Sequence, residues 1–166
     1  MPLGNRDQPE MIVVNDFLRL RKFDEDYAAM LSGYQDPYVY QNSEGIFDDA
    51  QKPDLDYVKR MYDYLSEAGE FYVIEVKENE KFVPVGDVTI KPENPPIAIW
   101  QERYRGQGIG LAVMETMIKR LKMLGFEKIS GSTVFQWNIP SQKLHEKLGF
   151  CRAGETEEEI FYELVL

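Results

Sequence analysis

The segment Arg105-Gly106-Gln107-Gly108-Ile109-Gly110 places three glycines within five positions. It lies between an apolar stretch, Ile97 to Trp100, and the strongest helical pattern in the chain. Glycine lets a backbone turn tightly and approach a ligand with no side chain in the way. The first N–H groups of the following helix have no intrahelical acceptor, so they present the positive end of the helix dipole outward. A pyrophosphate fits such a place without a lysine, and Arg103 and Arg105 add local positive charge. The same loop without a ligand would be a plain strand-to-helix turn. A Walker loop requires Gly-x-x-x-x-Gly-Lys-Ser/Thr, which is absent. The spacing of Gly106, Gly108 and Gly110 also departs from the dinucleotide pattern Gly-x-Gly-x-x-Gly. Further on, Ser141 and His145 stand one helical turn apart and can share a face. A histidine titrates at about 6.5 and can give up a proton near neutrality. A lone histidine on a short helix equally suits a structural role, and a serine there equally suits helix entry.

The surrounding pattern supplies the elements that must hold these groups. Ile109, Val113, Met117 and Leu121 form one stripe of a helix that Gly125 ends. Lys128 to Phe135 reads as a strand, Ser141 to Leu148 as a helix, and Phe150 to Thr156 with Glu159 to Leu166 as a final hairpin. Upstream, Met11 to Val14 and Phe17 to Arg21 flank the turn-like pair Asn15-Asp16. Asp24 is suited to cap a helix running to Tyr34, and Asp54 to cap a second one carrying Leu55, Val58, Tyr62 and Leu65, with Gly69 as its stop. Gln35 to Pro53 reads as a polar, aromatic loop. Phe71 to Lys77 and Phe82 to Ile90 form strands joined by Glu78-Asn79-Glu80-Lys81, and Pro84, which cannot donate to a ladder, predicts an edge or bulge. One strand–helix–strand unit, Ile97 to Phe135, requires a parallel crossover. These elements predict an α/β (α+β) domain around a mostly antiparallel sheet.

The chain has 166 residues, enough for one domain with a real core. Residues 1–166 are therefore read as a single domain, with 1–10 as a flexible leading segment. No apolar run reaches the roughly 20 residues that span a bilayer, and Met1 to Glu10 lack the apolar core of a secretory signal. A single cysteine, Cys151, excludes an internal disulfide and a multi-cysteine metal site, and no metal is expected. Cys151 is expected to be a small buried hydrophobe. These features predict a cytoplasmic protein. The net charge of −10 argues against nonspecific nucleic-acid binding and admits a cationic partner.

Tyr104 to Gly110 resembles the acetyl-CoA signature of the GNAT-type N-acetyltransferases, Arg/Gln-x-x-Gly-x-Gly/Ala, with Arg105, Gly108 and Gly110 at its fixed positions. About thirty residues later, Asn138 to Phe150 resembles the family's second signature, an Asn at a helix start and a helix ending in Gly149-Phe150. Two signatures in this order are far more specific than either alone, and the elements match the family from about Phe17 onward. The resemblance implies a GNAT-like fold: one central sheet of about seven strands with a splayed parallel pair, flanked by about four helices. It implies acetyl-CoA as cosubstrate, held by Ile99, Trp100, Gln101, Arg105, Gly106, Gln107, Gly108, Ile109 and Gly110, with Asn138 on the pantetheine arm. Gly149 should end its helix in a left-handed conformation and Phe150 should be core. Many members carry a tyrosine where His145 stands, as the acid that protonates the departing thiolate. In the branch resembling ribosomal-protein N-terminal acetyltransferases a serine in this helix is a known pattern, so Ser141 and His145 are both catalytic candidates.

The implied reaction is direct attack of an amine on the thioester. Its base is not placed: Ile97 to Trp100 holds no carboxylate, the flanking Glu93 and Glu102 are weak candidates, and a water chain is an equal alternative. The acceptor site in the family is shaped by the first helices and their loop. Here that region holds Tyr34, Tyr38, Tyr40 and Phe47 among Asp36, Glu44, Asp48, Asp49, Asp54 and Asp56. Tyr34, Tyr38 and Phe47 are the expected substrate contacts. Aromatic faces with carboxylates suit a cation, so the acceptor is expected to be a basic peptide N-terminus, a polyamine or an aminosugar; the same stretch reads equally as a solvated acidic loop with core tyrosines. The alternatives are a non-catalytic acyl-CoA-binding module and a nucleotide-binding domain. The apolar strand Ile160 to Leu166 can pair with a second copy in a homodimer or lie inside the sheet.

Overall fold

The computed structural model describes Leu3 and residues 7–166. Among the described residues, hydrogen bonding arranges eight strands in two antiparallel sheets. The first has the order β1-β2-β3-β4-β5, from Met11–Asn15, Leu18–Lys22, Glu70–Glu78, Lys81–Ile90 and Ile97–Ile99. The second has the order β6-β8-β7, from Lys128–Phe135, Glu159–Val165 and Cys151–Glu155. Among the described residues five α-helices accompany them: α1 Tyr27–Tyr34, α2 Pro37–Glu44, α3 Leu55–Ala68, α4 Ile109–Met123 and α5 Ile139–Lys147. Among the described residues no helix is long and apolar enough to cross a membrane.

The two sheets meet where the sequence requires a parallel crossover. A single parallel bridge joins Glu93, just before β5, to Ser130 of β6. Asn94 N donates to Ser130 O at 2.8 Å and Ser130 N to Pro92 O at 2.9 Å. Beyond that point β5 and β6 diverge, and the expected splay becomes a full separation of the hydrogen-bonded sheet.

Alternation along β3 divides the core. Tyr72 and Ile74 face a cluster with Val113, Met114, Met117 and Leu121 of α4, while Phe71 and Val73 face Met30 and Tyr34 of α1 and Val58 and Leu65 of α3. Arg120 of α4 reaches Glu70 of β3 with Nε and Nη2, at 3.1 and 2.9 Å, and Glu70 is only 2% exposed. This buried ion pair fixes α4, and so the glycine loop at its start, against the sheet.

Several boundaries differ from expectation for local reasons. Glu25 adopts φ 64°, and Asp26 rather than Asp24 caps α1, accepting from Ala28 N. The loop expected over residues 35–53 contains α2, capped by Asp36 with Pro37 in the first turn and ended by Gly45 at φ 68°. The Asp-Pro pair carried that signal. The β3–β4 turn is a two-residue one, Asn79 and Glu80 both having positive φ. The bulge expected at Pro84 is present, as the register shifts where Glu75 pairs with it. Cys151 is exposed, a correction: it opens β7, an edge strand exposed throughout. β8 lies between β6 and β7, so the C-terminal strand is internal and its ladder is occupied on both sides. The leading segment falls partly outside the described residues; within it Leu3 is buried and Gln8 Nε2 donates to Phe71 O.

Candidate active site

Two cavities meet at β5, where it parts from β6. The first, of about 400 Å³, is lined by the glycine loop, the start of α4, one face of α5 and Tyr38 of α2. The second, of about 370 Å³, is lined by Tyr34, Glu44, Tyr64, Lys91 and residues 132–135 of β6. Asn42, Ser43, Ile97, Ala98, Asn138 and Ser141 border both. The gap is thus a passage with a chamber on either side, and Ser141 stands at the constriction.

The loop has the backbone that the glycines predict. Gly106 and Gly108 adopt φ 72° and 81°, the left-handed region, and nothing lies within 4 Å of a Cβ built on either. The first bond closing α4 runs from Ala112 N to Gly108 O at 3.1 Å. The N–H groups of Ile109, Gly110 and Leu111 precede it and have no acceptor within the helix. The first cavity is lined by Arg105, Lys143 and Lys147 and, among the described residues, by no carboxylate. In a chain of net charge −10 that is a local inversion suited to an anion.

Arg105 borders the cavity with its guanidinium already engaged. Its Nε donates to Ile99 O at 3.1 Å and its Nη2 to Trp100 O at 3.0 Å, with the guanidinium 4.0 Å above the Tyr38 ring. It secures the end of β5. Arg103 is held by Glu78 at 2.8 Å, so neither arginine is a free counter-charge. The cations that face the cavity are Lys143 and Lys147, which sequence reasoning passed over. The signal was there: Pro140, Lys143, Leu144 and Lys147 share one helical face.

Of the expected cofactor contacts, Ile99, Arg105, Gly106, Gly108, Ile109, Gly110 and Asn138 line the first cavity; Trp100, Gln101 and Gln107 do not. Trp100 is buried, its Nε1 donating to Asp87 Oδ2 at 2.7 Å, while Gln101 and Gln107 are exposed. Along β5, Pro96 O and Trp100 N bond to β4. By alternation the backbone groups of Ile97 and Ile99 point the other way, toward the gap.

Asn138 is shared between two helices. Its Oδ1 caps α5 by accepting from Ser141 N, and its Nδ2 donates to Asn42 O of α2, both at 3.3 Å. Gly149 is left-handed at φ 92° and Phe150 is buried, as the resemblance implied. Helix α5 also sets the histidine. His145 is 4% exposed between the rings of Phe150 and Tyr162. Its Nδ1 lies 2.7 Å from Ser141 O, which can only accept, so Nδ1 carries the proton. Nε2 then accepts from Ser132 Oγ at 2.9 Å. Burial lowers the imidazole below its ordinary pKa, opposed by the bond to Ser141, and keeps it neutral. The Ser141 hydroxyl, on the same turn, lies 3.4 Å from His145 Nδ1, and Ser141 borders both cavities.

Of the two readings of the acidic stretch, the structural one fits its aspartates better than the cation site. Asp36, Asp48 and Asp54 cap helical turns, and Asp49 accepts from Tyr40 Oη at 2.9 Å. None of these four lines either cavity. Tyr34 reaches the second cavity with its hydroxyl bound to Asp87 at 2.8 Å, Tyr38 lines the first, and Phe47 lies outside both, against Trp137. Glu93 and Glu102 are exposed and line neither. The carboxylate that does enter a cavity is Glu44, whose Oε1 accepts from Tyr57 Oη at 3.0 Å. Desolvation raises its carboxyl to about 7 against the pull of that bond.

A glycine loop at a helix start, a splayed parallel pair and a capped Asn-led helix together define the site. Residues 22–150 match the model of the Acetyltransferase (GNAT) family, and the chain belongs to that family. The Bacillus subtilis (strain 168) SPbeta prophage-derived uncharacterized N-acetyltransferase YokL is 36% identical over 61 residues, which are 36% of this chain and 34% of that protein. The matched segment thus spans about a third of that relative's length. A domain from Methanocaldococcus jannaschii DSM 2661 superposes with a TM-score of 0.74 at 25% identity, over 90% of this chain and 98% of that one. RimL, the ribosomal L7/L12 alpha-N-protein acetyltransferase, solved in complex with coenzyme A, superposes with a TM-score of 0.70 at 15% identity, over 95% and 98%. At that identity the likeness is one of fold.

Proposed function

We propose that the protein transfers an acetyl group from acetyl-CoA to a primary amine, by direct attack and without a covalent acyl-enzyme. The observation that carries this reading is the passage between β5 and β6, with an anion-suited chamber on one side and a second chamber on the other. Acetyl-CoA occupies the first. Its pyrophosphate meets the N–H groups of Gly106 through Gly110, with Lys143 and Lys147 alongside, and its pantetheine arm runs past Asn138 beside Ile97 and Ile99. The thioester then lies at the constriction, where a backbone N–H of β5 can stabilise the developing oxyanion. The acceptor enters from the second chamber, and holding both substrates in line supplies much of the acceleration.

In this reading Ser141 is the hydrogen-bond donor to the departing thiolate. His145 is a positioning residue, because its one ring proton is committed to the Ser141 carbonyl and its other nitrogen accepts from Ser132. The acceptor is a basic peptide N-terminus, a polyamine or an aminosugar, and a cytoplasmic place suits a protein that uses acetyl-CoA.

Thiol release from acetyl-CoA against a panel of peptides, polyamines and aminosugars tests the reading, with acetyl-CoA binding followed by calorimetry. A responding amine is expected, and Ser141→Ala should then lower kcat by about 10²-fold with unchanged acetyl-CoA affinity. Binding without transfer to any amine would favour an acyl-CoA-binding module. Absence of acetyl-CoA binding would overturn the assignment of the glycine loop.

A further inference from the structure

Attack on a thioester needs a neutral amine, and alkylamines are protonated at neutral pH. A transferase of this kind therefore needs a proton acceptor in the chamber that receives the amine. We infer that Glu44, the last residue of α2, is that base; the inference rests on the transferase reading above.

Three features of the structure converge on it. Glu44 lines the second chamber, and its neighbours Asn42 and Ser43 border both chambers, so the carboxylate belongs to the turn that forms the constriction. Its position is fixed by the segment that carries Ser141. Trp137 Nε1 donates to Gln41 O at 3.1 Å, Asn138 Nδ2 donates to Asn42 O, and the Gly45 backbone packs so closely on Phe135 that an added Cβ would fall 2.8 Å from the ring. Glu44 and Ser141 are thereby held in one local frame, and both line the second chamber. The carboxylate is also uncommitted to any cation: among the described residues it forms no ion pair, Tyr57 Oη is its one hydrogen-bond donor, and the other titratable groups lining the chamber are Tyr34, Tyr64, Lys91 and His145. The end of a helix carries partial negative charge, which disfavours a carboxylate there but adds to its attraction for an ammonium group.

The other carboxylates lack these features. Glu93 and Glu102 are exposed and outside both chambers. Asp87 is enclosed, with Oδ2 held by Tyr34 and Trp100, and it acts on Glu44 only through its charge. Desolvation places the Glu44 carboxyl at about 7, where it can both take a proton and return it to solvent.

The protons balance as follows. The acceptor enters as an ammonium ion, and Glu44 takes one proton to leave a neutral amine. The nitrogen lone pair forms the C–N bond as the carbonyl π pair moves to oxygen. That pair then returns and the C–S bond breaks with its electrons on sulfur. The second N–H proton reaches the thiolate through the Ser141 hydroxyl, giving the amide and CoA thiol. Glu44 finally releases its proton to water.

The test uses the full chain with three probe acceptors, Ser-Ala-Gly amide, putrescine and glucosamine, and with water as nucleophile in background hydrolysis. Wild-type kcat should rise with pH along a limb centred near 7. Glu44→Gln should lower kcat by about 10²-fold or more, abolish that limb and leave acetyl-CoA binding by calorimetry unchanged. Tyr57→Phe should stay active and move the limb to higher pH, because Tyr57 donates to the ionised carboxyl. A merely structural Glu44 would lower kcat without moving the limb. The proposal fails if Glu44→Gln keeps the limb with kcat within about threefold, or if Tyr57→Phe leaves the limb in place. If wild type binds acetyl-CoA but acetylates no probe, ¹³C NMR of labelled glutamate in the acetyl-CoA complex decides. Added putrescine should shift the Glu44 carboxyl resonance, and an unmoved resonance overturns the proposal. Failure to bind acetyl-CoA would instead sink the transferase reading.

Discussion

Holding Glu44 in a desolvated position should cost the fold stability, and the cost should depend on pH in a defined direction. The carboxyl titrates at 4.5 when unperturbed and at about 7 in the folded protein, with desolvation as the leading cause. At about 1.36 kcal/mol per pH unit this corresponds to roughly 3 kcal/mol. Because the side chain is half-buried rather than enclosed, solvent screening reduces it, giving an expected range of about 1 to 3 kcal/mol. A raised folded-state pKa means that the contribution is fully favourable below 4.5, where both states are protonated. It is lost as the pH rises through 7. Glu44→Gln keeps an oxygen acceptor for Tyr57 and mimics the protonated carboxyl, so it should match wild type near pH 4 and exceed it near pH 8.5. For a chain of this length each kcal/mol moves Tm by about 2–4 °C. Thermal and urea melts of both proteins at the two pH values measure the difference of differences. Asp87, whose carboxyl burial lifts to about 6, titrates in both proteins and largely cancels. A gap between variant and wild type that does not change with pH would refute the desolvated position, and with it the electrostatic basis for a base at this site.

Two further predictions concern the cofactor side. At Gly108, φ 81° and open space above the backbone mean that alanine meets strain but no clash, so Gly108→Ala should cost about 1 kcal/mol of stability. The added methyl should also weaken acetyl-CoA binding by calorimetry. Arg120→Ala would leave Glu70, 2% exposed, buried without its partner, and should destabilise the protein by about 3–5 kcal/mol in urea melts. Arg120→Ala with Glu70→Gln should recover a substantial part of that loss, since the uncompensated charge is its main source.

Much of the fold was legible because local rules agree with tertiary ones here. The α4 stripe, the Asp54 cap and the bulge at Pro84 each follow from residue type and spacing, and each is present. The glycine loop was equally legible, since left-handed φ at Gly106 and Gly108 is a backbone demand that few other residues meet. Part of what escaped was local, such as the Asp36-Pro37 start of α2, and part depends on partners distant in sequence. Cys151 looked buried by composition, but the exposure of β7 follows from its edge position, which no local pattern encodes.

The sequence by itself determined the family, the order of the elements and the phosphate-suited loop, because two separated signatures and a helix-start geometry are short-range properties. Only the tertiary structure decided which charges matter. It assigned Asp36, Asp48 and Asp54 to helical caps and turned Arg105 onto the carbonyls of Ile99 and Trp100. It brought Lys143 and Lys147 to one chamber and Glu44 to the other, 13 residues in sequence from the Tyr57 hydroxyl that tunes it. A carboxylate's chemistry is set by its desolvation and its donors, and both exist only once the chain has folded around it.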